Sequence, residues 1–130
     1  MSEPEFLLRE VVEYLHDQAV RTYGGHFGIR DEGLLESALA RPRQKWAYGD
    51  PAPDIAAVAA AYAFGIGRNR AFVDGNKRTG WAACVLFLKA NDVSIGATGY
   101  ESVEKMVALA EGALTEDDFA DWLRGWIAAI

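Results

Sequence analysis

The run Ile55-Ala-Ala-Val-Ala-Ala-Ala-Tyr-Ala-Phe-Gly-Ile66 carries no charged side chain, and it constrains the fold more than any other segment. Asp54 directly before it is a good N-cap, so the pattern predicts a helix from Ile55 to about Arg68. Such a helix is apolar on nearly every side and must be surrounded by others, which places it at the centre of the molecule. It is also well short of the roughly 20 apolar residues that span a bilayer. The same run therefore demands burial and argues against a membrane span.

The rest of the chain supplies helices to surround it. Leu8, Val11, Val12, Leu15, Ala19 and Tyr23 recur at helical spacing between Glu5 and Tyr23, and Gly24-Gly25 closes that helix. A glycine-rich loop to Arg30 follows, carrying His26 and Phe27. Asp31 caps a short second helix expected to end at Leu39 or Ala40, because Pro42 limits it. Arg43 to Pro53, with Trp46 and Tyr48, reads as a short helix and a turn. Beyond the central helix, Lys77 to Asn91 is helical, with Trp81, Val85 and Leu88 on one stripe. Val93 to Gly99 is a short extended connector. Tyr100 to Glu111 is an amphipathic helix with Val103, Met106, Val107 and Ala110 inward. Thr115, with Asp118 three residues on, opens a last helix through Ile130. No segment alternates with period two long enough for a confident strand. The expectation is an all-α bundle of five to seven helices in a single domain, 1–130.

Composition excludes some functions. The formal charge of -6 argues against nonspecific nucleic-acid or membrane binding. The lone Cys84 lies in an apolar run and cannot form an internal disulfide, which suits a reducing compartment. The acidic N-terminal residues lack the basic start and apolar core of a secretory signal, so the expected location is cytoplasmic. His16 reads as a core or surface residue and His26 as a loop residue, neither with an assigned role. Cys84, the Trp81 stripe and the pair Trp122 and Trp126 read as core.

Between the two most apolar helices stands Arg68-Asn69-Arg70-Ala71-Phe72-Val73-Asp74-Gly75-Asn76-Lys77-Arg78-Thr79-Gly80. Four cations and one carboxylate are gathered here on an otherwise acidic chain. Asn76, Lys77 and Arg78 begin a helix, where free backbone N–H groups and a partial positive charge favour an anion. Cations at a helix start oppose that dipole, so their presence suggests that an anion is expected. Gly75 lets backbone approach a ligand closely. Lys77 can act as a point charge on one phosphate and Arg78 as a two-pronged donor to another. Asp74 is the carboxylate that can hold Mg²⁺ beside phosphates. Phe72 is the apolar pin of the loop. The tetrapeptide Asp74 to Lys77 on its own would be a turn before a basic helix start.

The stretch resembles the signature of the Fic/Doc family, H-x-F-x-[DN]-[GA]-N-K-R in its Doc branch, with Arg70 where the family carries its catalytic histidine. The similarity extends to the helix ending Tyr23-Gly24-Gly25, to the segment Gly28 to Leu39, and to Leu86-Phe87-Leu88-Lys89-Ala90-Asn91. Lys77 and Trp81 stand where AMP-transferring Fic enzymes have glycine and a second arginine, which points to the Doc branch. The resemblance implies a Fic/Doc-type helical bundle and a growth-arresting toxin that moves the γ-phosphate of ATP to a threonine of a translation factor, elongation factor Tu. It implies a small cognate antitoxin whose C-terminal segment folds into an apolar groove, expected near Trp46 and Tyr48. By position, Asp74 would hold Mg²⁺, and Asn76, Lys77 and Arg78 would hold phosphates. Arg68 would reach the nucleotide, and the loop from Gly25 to Arg30 would dock the target. Position 70 would supply the general base, and arginine, which keeps its proton at any physiological pH, cannot accept one. This form is therefore expected to be inactive. The alternatives are a Fic-like AMP-transferase and a non-catalytic nucleotide- or partner-binding pseudoenzyme.

Overall fold

The computed structural model describes residues 2–129 and is helical throughout its core. Helices α1 (Arg9–Tyr23), α2 (Glu32–Tyr48), α3 (Ile55–Asn69), α4 (Asn76–Ala90), α5 (Tyr100–Glu111) and α6 (Glu116–Arg124) follow in order. Two three-residue strands, β1 (Val93–Ile95) and β2 (Ile127–Ala129), pair antiparallel, with Val93 opposite Ala129 and Ile95 opposite Ile127. The all-α expectation holds, with six helices and this small ribbon added among the described residues.

Helix α3 is the axis. It touches α2, α4, α5 and α6, and from Val58 to Ala63 its side chains are buried. Its start is capped as expected, with Asp54 Oδ1 accepting from the Ala57 N–H at 2.9 Å. Small residues let α4 lie close against it. A Cβ added at Gly80 would stand 3.1 Å from the Ala63 carbonyl oxygen and from the Gly67 nitrogen. Phe87, Leu88, Leu109, Phe119 and Leu123 complete the core from three other helices. The Tyr62 hydroxyl, buried within it, accepts from the Leu7 N–H at 2.9 Å and ties down the segment before α1. No helix is long and apolar enough to cross a membrane among the described residues.

Three boundaries differ from the sequence expectation. Helix α1 begins at Arg9 rather than at Glu5, with Leu8 in an extended conformation as its N-cap. Helix α2 does not stop near Leu39 but continues through Pro42 to Tyr48. An interior proline costs about 3 kcal/mol, and tertiary contacts on its far side offset this. Pro42 is itself buried, Arg41 and Lys45 both pair with the buried Glu116, and the Arg43 guanidinium lies 4.7 Å from the Phe6 ring centroid. The last helix ends at Arg124 rather than continuing, and Ile130, its expected end, lies outside the described residues. After Gly125 the Trp126 carbonyl accepts from the Gly96 N–H, which starts the β1–β2 ribbon. Trp126 therefore packs on Gly96 and not beside Trp122 on one helix face. Trp122 meets Trp81 and Phe119.

Candidate functional site

The loop between α3 and α4 is built by its own side chains. Asn76 Oδ1 accepts from the Phe72 N–H and Asn76 Nδ2 donates to the Phe72 carbonyl, both at 3.0 Å. The amide thus closes the loop Phe72–Asn76 and is committed to it. Phe72 is buried and stacks on His16, with ring centroids 3.8 Å apart and an interplanar angle of 9°. His16 also bonds the Asp74 carbonyl oxygen through Nε2 at 2.8 Å. Gly75 is in the left-handed region (φ 76°) as the N-cap of α4, a conformation that glycine takes without strain.

A second loop, residues 24–31, is zipped along the first. The Val73 N–H donates to the Gly28 carbonyl, and the Ala71 carbonyl accepts from the N–H groups of Arg30 and Asp31. Arg30 adds its side chain, donating from Nε to the Arg70 carbonyl at 2.7 Å and from Nη2 to the Asn69 carbonyl at 3.2 Å. These bonds hold Arg70 in the left-handed region (φ 55°, ψ 50°), where a non-glycine residue is uncommon. The His26 N–H donates to Asp74 Oδ2 at 2.7 Å. The other carboxylate oxygen, Oδ1, accepts from nothing among the described residues.

These constraints open a cavity of about 260 Å³ in front of the α4 N-terminus. Arg70, Asp74, Gly75, Asn76 and Lys77 line one side of it. Val107, Ala110 and Glu111 of α5 line the other. Arg68, Arg70, Lys77 and Arg78 take part in no ion pair among the described residues. Arg9, in contrast, pairs with Glu13, Glu32 and Glu36, and Arg124 with Asp54 and Asp121. Unpaired cations beside the free N–H groups of a helix start are the groups from which anion sites are built.

The expected site residues separate into three groups. Arg70, Asp74, Gly75, Asn76 and Lys77 converge on the cavity. Phe72 lies beneath it as the pin. Arg68 and Arg78 point elsewhere. The Arg68 guanidinium packs on Gly112, where an added Cβ would meet Nη1 at 2.9 Å, and it is not part of the cavity wall. The Arg78 guanidinium lies 3.6 Å from the centroid of the Tyr23 ring, over a larger groove of about 520 Å³ between α1, α4 and α5. Leu15, Ala19, Trp81, Val103 and Met106 make that groove apolar, and Lys77 lines both hollows. Of the two aromatics expected to wall an apolar groove, Trp46 packs against the core and Tyr48 is 83% exposed.

Glu111 and His16 were not among the expected site residues, and Arg30 was expected only as the end of the target-docking loop. His16 had one signal, its position one turn from Val12 on the buried stripe of α1. Glu111 had none, because its approach to the cavity depends on how α5 packs.

Mg²⁺ and a polyphosphate can be tested against this geometry. No cluster of three or more His, Cys, Asp or Glu side chains could hold a metal among the described residues. A divalent cation at Asp74 would therefore complete its shell with water and phosphate oxygens, which is how Mg²⁺ is usually bound beside nucleotides. The open Oδ1, Lys77 and the α4 N-terminus fit that arrangement.

The model of the Fic/DOC family matches residues 6–88. The chain is 45% identical over 93 residues to the protein named Toxin Doc from Mycolicibacterium smegmatis, covering 67% of this chain and 71% of that one. It is 34% identical over 110 residues to the Protein kinase doc of Escherichia phage P1, covering 85% and 86% respectively.

Proposed function

The chain belongs to the Fic/DOC family, and on that premise we propose that it is a Doc-like toxin of the protein-kinase type. It would transfer the γ-phosphate of ATP to a hydroxyl of a translation factor, elongation factor Tu, in the cytoplasm, with a small cognate antitoxin holding it in check. The observation that carries this reading is the cavity where unpaired Lys77 and Arg70, the open oxygen of Asp74 and the N-terminus of α4 meet.

In this reading each residue has a physical task. Backbone N–H groups of the first turn of α4 and the Lys77 ammonium bind phosphate oxygens. Asp74 Oδ1 would hold Mg²⁺, which when bound would neutralise charge on the phosphates. The loop from Gly25 to Arg30, held to the motif by the bonds above, positions the target segment. The target hydroxyl oxygen forms a bond to the γ-phosphorus as the bond to the bridging oxygen breaks and ADP leaves. Its proton must go to a base, and the family's base belongs at position 70. Arg70 cannot take it, and losing a general base costs about two to four orders of magnitude in rate. The chain with Arg70 would therefore bind nucleotide and transfer little. Lys77 and Trp81 argue against the AMP-transferring alternative. The apolar groove between α1, α4 and α5 is the surface suited to an amphipathic antitoxin helix.

Arg70 favours a second reading, a nucleotide- or partner-binding protein without transfer activity. One experiment separates the readings. Arg70→His should turn a tolerated protein into one that stops growth when induced, and Asp74→Ala in that background should silence it. Label passing to a bacterial protein from γ-labelled ATP identifies a kinase, and label passing only from α-labelled ATP identifies nucleotidyl transfer. A folded Arg70→His protein that binds ATP, moves neither label and leaves growth unchanged would establish the binding reading instead.

A further inference from the structure

We propose that His16 is a positioning residue for Asp74, fixing the carboxylate that faces the cavity through a bond to its backbone. The inference rests on the nucleotide reading of the cavity. His16 is 5% exposed, and its Nε2 lies 2.8 Å from the Asp74 carbonyl oxygen. A carbonyl can only accept, so Nε2 carries the proton in this bond. The same ring stacks on Phe72, so one side chain of α1 grips the loop at two residues.

Asp74 needs such a grip because of its neighbour. Gly75 at φ 76° offers little steric resistance to rotation of the peptide between them. The carbonyl bond from His16 and the His26 N–H on Oδ2 then define the orientation of Asp74 from two ends. What remains is Oδ1, which has no hydrogen-bond partner among the described residues and is the oxygen available to a cation. Without the His16 bond the peptide can turn and the carboxylate with it, although Asn76 still closes the loop around Phe72.

Phe and Gln substitutions split the two contacts. His16→Phe keeps a flat ring against Phe72 and removes the donor. His16→Gln supplies an N–H near the place of Nε2 and removes the ring. Two readouts follow. In the ligand-free protein the His26 amide, bonded to Asp74 Oδ2, should lose protection from hydrogen exchange in His16→Phe and keep it in His16→Gln. In titrations of the unchanged chain, ATP should bind more tightly with Mg²⁺ than without. His16→Phe should reduce that magnesium-dependent gain about tenfold, the scale of one buried hydrogen bond, with magnesium-free ATP affinity unchanged. His16→Gln should restore the gain.

A His16→Phe protein with the parent's amide protection and magnesium gain would overturn the inference alone and leave His16 as core filling. An unchanged chain that binds ATP no better with magnesium than without would overturn the nucleotide reading and this inference with it. Should His16→Phe fail to fold, His16→Gln against His16→Met makes the same comparison, since the two are alike in length and differ in the donor.

Discussion

Asn76→Ala is the sharpest test of how the motif loop is made. As a phosphate ligand, Asn76 would lose binding on truncation and leave stability nearly unchanged. In the structure its amide instead accepts from the Phe72 N–H and donates to the Phe72 carbonyl, inside a loop where Phe72 is 1% exposed. Truncation leaves both backbone groups without partners. An unsatisfied buried group costs about 1–3 kcal/mol. Asn76 is itself 8% exposed, so a water entering the vacated space can recover part of that. The expected loss is about 3 kcal/mol, against a total of roughly 5–15 kcal/mol for a domain. At about 4 °C per kcal/mol for a chain of this size, the melting temperature should fall by about 12 °C. Asn76→Asp separates the two bonds, because it keeps the acceptor for the Phe72 N–H and turns a second oxygen towards the Phe72 carbonyl. It should be at least as destabilising at neutral pH. Urea denaturation followed by tryptophan fluorescence gives the number directly. A loss under 1 kcal/mol for Asn76→Ala, coupled to weaker ATP binding, would refute the structural role and return Asn76 to the phosphates.

The Arg124 guanidinium, bonded to both oxygens of Asp54, holds that carboxyl below its usual range, with the cap bond from Ala57 adding to the effect. A depressed folded pKa contributes stability above the unfolded value near 4 that is lost as pH falls through the folded one. Asp54→Ala should cost about 1–2 kcal/mol at pH 7 as a lost cap and exposed ion pair, and its deficit against the parent should shrink in melts below about pH 4. Gly112→Ala tests the place of Arg68. The residue has φ 81° and the new Cβ would meet the guanidinium at 2.9 Å, so a loss of about 1–2 kcal/mol is expected, with ATP affinity unaffected; weaker ATP binding would put Arg68 back at the nucleotide.

What could be read in the sequence was whatever depends on near neighbours. The caps Asp31, Asp54 and Thr115 each bond an N–H three residues on, and each lay in the sequence as an oxygen-bearing side chain at the start of a helical pattern. The central place of α3 followed from the absence of any polar face. The gathering of Asp74, Gly75 and Lys77 at a helix start was likewise local, which is why the cavity stood where the motif did. Helix α2 was misjudged because the proline penalty is local while its compensation is not. Glu116 lies 75 residues from Arg41, with which it pairs.

Side-chain direction was the part that no spacing could supply. Arg68, Arg70, Lys77 and Arg78 look equivalent as four cations in eleven residues of sequence, and their surroundings make them different. Gly112 at the end of α5 receives the first, and Tyr23 at the end of α1 receives the last. Arg70 and Lys77 line the cavity and form no ion pair among the described residues, although Glu111 of α5 lines it too. Asn76 shows the same dependence in reverse. Its motif position suggests a ligand for phosphate, but an amide can satisfy a donor and an acceptor at once, and Phe72 presents both within reach. A buried backbone pair left open costs more than one hydrogen bond to a solvated anion contributes. The loop therefore takes the amide, and the charges and N–H groups that folding does not use stay available to an anion.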